Sequence, residues 1–133
     1  MIQLPILVHA FETDFGGVVS NTRFLEWFER GRYALLHQAG LPVEETWEQE
    51  GVMAIVRRVE VDYLLFARHE DELILTTRVG EWGGATATVE HEITRPRDGA
   101  TIARARQTIA FLNRSWKPTR VPKSYREKLK EEI

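Results

Sequence analysis

Residues 12–32 read ETDFGGVVSNTRFLEWFERGR, and this stretch decides both the fold and the candidate chemistry of the chain. It places a carboxylate, Asp14, and a glycine pair just before a helix that the spacing of apolar residues predicts from about Thr22 to Ala39. A carboxylate in that position lies near bare backbone N–H groups and the positive end of the helix dipole. Such a geometry suits attack on a carbonyl group.

Signals at both ends delimit the helix, and its apolar residues predict that it is enclosed. Ser20 or Asn21 is a suitable N-cap, and Gly40 followed by Pro42 is a strong stop signal. One stripe at helical spacing contains Phe24, Phe28, Gly31 and Leu35. Apolar residues also lie outside that stripe, so most of the helix surface should be covered. Glycine costs on the order of 1 kcal/mol relative to alanine inside a helix, so Gly31 is expected to mark close backbone packing.

The rest of the chain has the alternation of β-strands. A first strand is predicted over residues 2–11, where Pro5 is tolerable only near an edge or a strand start. A polar connection over residues 42–50, with a helical turn at Val43 to Trp47, follows the long helix. Four strands then come in succession, over residues 52–63, 73–82, 85–93 and 103–111, with hairpin signals at Gly83-Gly84 and Asp98-Gly99. Pro122 is predicted as the first residue of a short terminal helix that has Tyr125, Leu129 and Ile133 on one face.

This order of elements predicts an α+β fold, with an antiparallel five-stranded sheet and one long helix packed on it. The length of 133 residues favours a single domain that spans residues 1–133. We find no internal repeat, no low-complexity segment and no linker.

Composition excludes several classes of function. The chain has no cysteine, which excludes disulfide and thiolate chemistry, and its four histidines include no pair at metal-ligand spacing. A net charge of −2 gives no general attraction to nucleic acid or to membranes. We find no signal peptide and no apolar run near the roughly 20 residues of a membrane helix, so we expect a soluble, cytoplasmic protein.

Two motifs indicate a family. TDFGGVV at residues 13–19, followed by Phe24-Leu25 and Phe28-Glu29-Arg30, resembles the 4-hydroxybenzoyl-CoA thioesterase family and related bacterial short acyl-CoA thioesterases. YLLFARHEDEL at residues 63–73 is similar to a second family motif, a strand followed by a turn. The resemblance covers nearly the whole chain. It implies a hot-dog fold, in which an antiparallel sheet wraps a long helix.

The resemblance also implies a site. It makes Asp14 the catalytic carboxylate and assigns binding of the thioester oxygen to a backbone N–H at about Asn21. The residues that it implies around the substrate are Gly17, Val18, Val19 and Thr22. Many relatives have histidine or an aromatic residue where this chain has Asn21; asparagine forms hydrogen bonds but does not shuttle a proton at neutral pH.

The implied function is hydrolysis of a small or medium acyl-CoA, aliphatic or aromatic, to free acid and coenzyme A. The leaving thiolate has a pKa of roughly 8.5, if cysteine is the guide, so no strong general acid is needed. Asp14 would attack directly or act as general base for water. No metal or redox cofactor is implied. Family members form dimers through sheet edges, often paired into homotetramers, with sites at the subunit interface, so we expect a homo-oligomer.

Other interpretations stay open. A non-catalytic acyl-CoA sensor would bind the ligand without turnover, and a hot-dog hydratase or dehydratase would need a histidine base, which residues 14–32 lack. The glycine pair could form a plain tight turn or let substrate approach, and His9 and His91 are more typical of structural than of catalytic residues. The basic residues that could meet the phosphates of coenzyme A are Arg57, Arg58, Arg68, Arg114, Lys117 and Arg120. The sequence does not choose between coenzyme A and a carrier protein as thiol partner.

Overall fold

The computed structural model describes residues 1–129. In chain order its elements are β1 (Ile2–Leu7), a 3₁₀ turn (Ala10–Glu12), α1 (Asn21–Gln38), α2 (Val43–Glu50), β2 (Met53–Tyr63), β3 (Glu72–Trp82), β4 (Thr86–Arg95), β5 (Ala100–Leu112) and α3 (Lys123–Lys128). The strands form one antiparallel sheet in the order β1-β3-β4-β5-β2. The predicted α+β fold, with five antiparallel strands around one long helix, is confirmed.

The long helix α1 packs on the inner face of the sheet, across β1, β3 and β4. Its buried residues are Phe24, Trp27, Phe28, Gly31 and Leu35. They meet the alternate inward side chains of the strands, such as Leu75 of β3 and Ile93 of β4. The close packing predicted at Gly31 is confirmed, because a Cβ there would lie 2.2 Å from Oγ1 of Thr77. That glycine lets the helix backbone come directly onto the sheet.

The two edges of the sheet differ in exposure. β1 carries Pro5 at one edge, as predicted for a proline within a strand. β2 forms the other edge, and almost every residue in it is exposed. Its exposed apolar side chains include Ile55, Val56 and Val59. The side chains of Ile55 and Val56 therefore do not belong to the core of this chain.

Three predicted boundaries are wrong. The first strand ends at Leu7 rather than Phe11, because Glu12 accepts the backbone N–H of His9 and draws the chain into a 3₁₀ turn. The predicted turn at Val43 is a full helix, α2, which runs to Glu50 and ends where Gly51 adopts a φ of +64°. Pro122 is the N-cap of α3 and not its first residue.

The helix ends that bear on function agree with the sequence. α1 begins at Asn21 and ends at Gln38, within one residue of each predicted bound, and its N-cap is Ser20. Tyr125 of α3 is buried, and so is Leu129, which follows the last residue of α3. Ile133, predicted on the same face, lies outside the described residues. Within residues 1–129, no helix is long and apolar enough to span a bilayer.

Candidate active site

A tight turn presents Asp14 ahead of α1. The N–H of Asp14 donates to the carbonyl oxygen of Val18 at 3.0 Å, and the N–H of Gly17 donates to the carbonyl oxygen of Asp14 at 3.0 Å. Gly16 and Gly17 have φ values of +100° and +75°, which side chains strongly disfavour, although a Cβ at either would meet nothing within 4 Å. The interpretation of the glycine pair as a tight turn is therefore confirmed; approach of a substrate to it stays a prediction.

The turn is held on two sides. Thr13 pairs with Val19 across its base, and Val18 forms a bridge with Arg68 of the segment that links β2 to β3. The N–H of Val19 also donates to the carbonyl oxygen of Ala67 at 2.8 Å. The turn is thus fastened between the start of α1 and the segment that follows β2.

Glu12 ties the beginning of this loop to the helix. Its side chain is buried, with one carboxylate oxygen 2.8 Å from the donating Nε1 of Trp27 and the other 2.9 Å from the donating N–H of His9. Its carbonyl oxygen accepts the N–H of Ser20 at 3.0 Å. A buried carboxylate with these partners positions the loop that bears Asp14 relative to α1. No local sequence pattern pairs Glu12 with Trp27, so the sequence alone predicts no role for Glu12.

The N-terminus of α1 is open to a ligand. The first N–H groups of an α-helix have no acceptor within the helix. Ser20 is the N-cap, but its side chain forms no capping hydrogen bond. Among residues 1–129 the N–H of Arg23 finds the carbonyl oxygen of Ser20, while no acceptor is found for the N–H groups of Asn21 and Thr22. Two backbone donors at the positive end of an 18-residue helix are therefore available.

An apolar cleft of about 130 Å³ lies beside this helix start. Its lining residues are Val19, Asn21, Phe24, Tyr63, Leu64, Leu65, Phe66 and Ala67. The hydroxyl of Tyr63 donates to the carbonyl oxygen of Asn21 at 3.1 Å, and its ring meets that of Phe24 edge-on with centroids 5.2 Å apart. A tyrosine hydroxyl is protonated at neutral pH, and burial raises the pKa of Tyr63 further. The helix start and the end of β2 thus share one cleft.

The structure brings some of the predicted site residues together and not others. Val19 and Asn21 line the cleft. Gly17 and Val18 lie in the adjoining turn, and Thr22 is exposed at the helix start without lining the cleft. Asp14 is also exposed outside the cleft lining, and its carboxylate forms no hydrogen bond or ion pair with any other described residue.

The segment after β2 is the part of the site that sequence reasoning missed. Leu64, Leu65 and Phe66 line the cleft, and each is more than two-fifths exposed. Phe15, in the Asp14 turn, is fully exposed. A run of large apolar residues that no strand buries was the available signal, because contiguous exposed apolar surface marks interaction sites.

His91 lies in the core and not in the cleft. Thr77 Oγ1 and His91 Nδ1 are 2.8 Å apart, His91 Nε2 lies 2.7 Å from Gln107 Oε1, and the imidazole stacks on Phe28 with centroids 4.6 Å apart. Since the amide oxygen of Gln107 can only accept, we assign the proton to Nε2. Burial lowers the pKa of His91 to about 4, and the nearby charge of Arg32 also lowers it. The interpretation of His91 as a structural histidine is therefore confirmed.

One candidate ligand for the phosphates of coenzyme A has a structural role. Arg114 donates to the carbonyl oxygens of Trp47 and Glu48 at the end of α2, at 3.0 and 2.9 Å, and lies over the ring of Trp47. Its guanidinium therefore caps a helix. Within residues 1–129 we find no group of three or more histidine and acidic side chains that could hold a metal ion.

Comparisons with known proteins agree with this architecture. The family model described as the thioesterase-like superfamily matches residues 8–129. The acyl-CoA thioesterase YbgC of Haemophilus influenzae is 30% identical over 120 residues, which cover 90% of this chain and 87% of that protein.

Solved structures give the same result. The crystal structure of a probable thioesterase from Bartonella henselae is 31% identical, with a TM-score of 0.83, and the match covers 91% of this chain and 98% of that one. A mutant of 4-hydroxybenzoyl-CoA thioesterase, complexed with 4-hydroxybenzoyl-CoA, shares the fold at 18% identity, with a TM-score of 0.90 over 97% of this chain and 98% of that one. The family resemblance of the two sequence motifs is confirmed, and the chain belongs to the thioesterase-like superfamily.

Proposed function

We propose that this protein is an acyl-CoA thioesterase that hydrolyses a small or medium acyl-CoA to the free acid and coenzyme A. The observation that carries the proposal is the start of α1, where no side chain caps the N–H groups of Asn21 and Thr22. This helix end lies beside an apolar cleft and follows the turn that bears Asp14. An apolar cleft suits an acyl group, and bare N–H groups suit its carbonyl oxygen. Relatives that are named as thioesterases support this activity.

In the proposed reaction, the N–H of Asn21 donates to the thioester oxygen as negative charge develops on it. Removal of one such donor typically costs about 100- to 1,000-fold in rate. Because the donor is a backbone group, the asparagine side chain is not required for this step. Thr22 supplies a second N–H at the same helix end. The path by which the acyl group reaches these donors is shaped by Gly17, Val18 and Val19.

Asp14 has two available roles. As general base it takes a proton from water while the water oxygen bonds to the carbonyl carbon; the C–S bond then breaks and the thiolate leaves with its electron pair. As nucleophile, a carboxylate oxygen of Asp14 bonds to that carbon, and the C–S bond breaks to release the thiolate. The product on the protein is an anhydride between Asp14 and the acyl group, which water then hydrolyses. Neither route requires a metal or a redox cofactor. Only the second adds the mass of the acyl group to the protein during the first turnover.

The test of the proposed function is thiol release from a panel of acyl-CoA esters of increasing acyl length, together with an aromatic ester. We expect release from at least one ester at a rate that is proportional to protein concentration, and the preferred ester names the acyl class. Binding of acyl-CoA without release, measured by calorimetry on the same preparations, would contradict hydrolysis and favour a sensor. The same acyl groups, attached to the thiol of a carrier protein instead of coenzyme A, are assayed in parallel. The faster hydrolysis of one set identifies the thiol partner.

We further propose that two copies associate through β2 and enclose the cleft between them. The free edge of β2 presents unpaired backbone groups and exposed apolar side chains at Ile55, Val56 and Val59. β2 ends at Tyr63, and Leu64 follows it; both line the cleft, so a copy on this edge would cover the site. Further association of such pairs would give the homotetramer that the family resemblance implies.

Charge placed on the β2 edge should prevent this association. We expect the double variant Val56→Lys and Val59→Lys to have the mass of a monomer by light scattering, because paired copies would bring four like charges together. Acyl-CoA hydrolysis should fall in parallel if the cleft is completed by the partner. The matched control is Leu7→Lys, an exposed apolar position on the opposite edge strand, which should leave the mass unchanged. A double variant that keeps the mass of the unmodified protein would rule out the β2 interface.

A further inference from the structure

A second apolar cavity lies under the other half of α1, away from the cleft. It has a volume of about 100 Å³ and is bounded by α1, α2, α3 and the inner face of the sheet. We call it the Arg32 crevice; apolar residues that line it include Leu35, Val79, Val89, Ile109 and Phe111. It shares no lining residue with the cleft at Asn21. Asn21 and Arg32 are 11 positions apart along the helix, which is a distance of about 16 Å.

Of the described residues that line this crevice, Arg32 is the one cation. The guanidinium of Arg32 is partly buried and donates from Nη1 to Gln107 Oε1 at 3.0 Å. Arginine carries five N–H donors, and this is the one hydrogen bond found for them in the described part of the chain. No carboxylate oxygen of residues 1–129 lies within 4 Å of this guanidinium to form an ion pair.

A partly buried arginine charge lowers the stability of the fold unless an anion pairs with it. Burial lowers the pKa of Arg32, and the field of the Glu29 carboxylate opposes this by raising it. Gln107 offers little more, because the same amide oxygen also accepts from His91. A partly buried charge with one neutral partner gains most from a carboxylate that takes two parallel hydrogen bonds.

We propose that the Arg32 crevice binds a small aliphatic carboxylic acid, with the carboxylate on the guanidinium and the alkyl chain among the apolar side chains. Charge complementarity at Arg32 selects an anion, and the apolar lining selects a hydrocarbon tail. A cavity of roughly 10–15 Å³ suffices for one water, so about 100 Å³ admits several non-hydrogen atoms. Binding here requires no hydrolysis, so it can be tested apart from the thioesterase activity.

The test uses hexanoate as probe and methyl-resolved NMR on the full-length protein that carries Asp14→Asn. Hexanoate should shift the methyl signals of Val79, Val89 and Ile109 in the crevice. This holds whether or not it also shifts those of Val19 and Leu64, because the cleft would bind the same acid as a product of the proposed hydrolysis. Hexan-1-ol, which has the same chain length and no charge, should bind at least about 10-fold more weakly, the loss expected when a charged hydrogen-bonding partner is removed.

Substitution at Arg32 completes the test. Arg32→Met keeps an unbranched apolar side chain similar to the stem of arginine and removes the guanidinium, so it should weaken hexanoate binding by about 10-fold or more and leave hexan-1-ol binding little changed. Arg32→Lys keeps a point charge without the fork and should bind hexanoate with intermediate strength. Arg30→Met, at an exposed position two residues away on the same helix, is the matched control. It should bind hexanoate as tightly as the parent protein, which carries Asp14→Asn alone.

Three results would overturn the proposal: hexanoate shifts confined to Val19 and Leu64, equal binding of hexanoate and hexan-1-ol, or absence of hexanoate binding to the parent protein. Thermal melting of each variant separates loss of binding from loss of folding. If Arg32→Met fails to fold, Arg32→Lys and the pair of probes still decide the outcome.

Discussion

Replacement of Asp14 by asparagine should lower kcat for the preferred acyl-CoA by more than about 100-fold. Asparagine has nearly the same size as aspartate, but its neutral amide neither attacks the carbonyl carbon nor takes a proton from water. KM should change little, because Asp14 lies outside the lining of the apolar cleft. Steady-state thiol release from the preferred ester measures both constants.

The fold should survive this change. The turn around Asp14 is held by backbone hydrogen bonds and the carboxylate has no partner among residues 1–129, so the melting temperature should remain that of the unmodified protein. Glu44→Gln, which removes an exposed carboxylate from α2, is the matched control and should hydrolyse the ester at the original rate. Equal turnover by Asp14→Asn and the unmodified protein would leave a thioesterase whose carboxylate lies elsewhere.

Acid should destabilise the protein through His91. The pKa of this histidine is about 4 in the folded chain, against an ordinary value of 6.5, because burial penalises the charged form. As the pH falls below 6.5, the unfolded chain binds a proton that the folded chain cannot, so the free energy of unfolding falls. Each pKa unit corresponds to about 1.4 kcal/mol, which gives a loss of about 3 kcal/mol by pH 4.

Urea unfolding at a series of pH values measures this loss, and His91→Gln isolates it. The groups that face the imidazole are Phe28, Thr77, Gln107 and Arg32, none of which changes charge between pH 4 and 7. In the variant the decline between pH 6.5 and 5 should largely disappear. The lowered pKa of Glu90, whose carboxylate accepts from Arg78 and Arg106 although burial opposes the shift, also removes stability in acid, but it acts equally in both proteins. A decline of the same size in His91→Gln would show that another group causes it.

Sequence periodicity predicted the helix and the sheet because it reports which face of each element is buried. The stripe through Phe24 and Phe28 marked the buried face of α1, and the alternation from Ala87 to Ile93 marked the inner face of β4. Gly31 was informative for the same reason, since its helix-breaking cost had to be offset by close packing on Thr77.

The cleft and the loop that bears Asp14 depend on contacts that periodicity does not encode. The hydrogen bond from Trp27 to Glu12 joins residues 15 positions apart, and the one from Val19 to Ala67 joins residues much farther apart in the chain. β2 shows a second case in which the sequence pattern does not predict burial. Its apolar residues suggest burial, yet within one chain they lie at an exposed edge.

The unequal edges of the sheet limit the size of any assembly that grows by strand addition. At β1, Pro5 lacks an N–H, so an incoming strand would lose a ladder bond there. β2 contains no proline and so provides the single edge with every backbone donor. Two copies that meet edge to edge at β2 are related by a two-fold axis and use up the open edge of each. Such a pair would form one ten-stranded sheet with β1 at both outer edges, and it would stop there instead of continuing into a fibre.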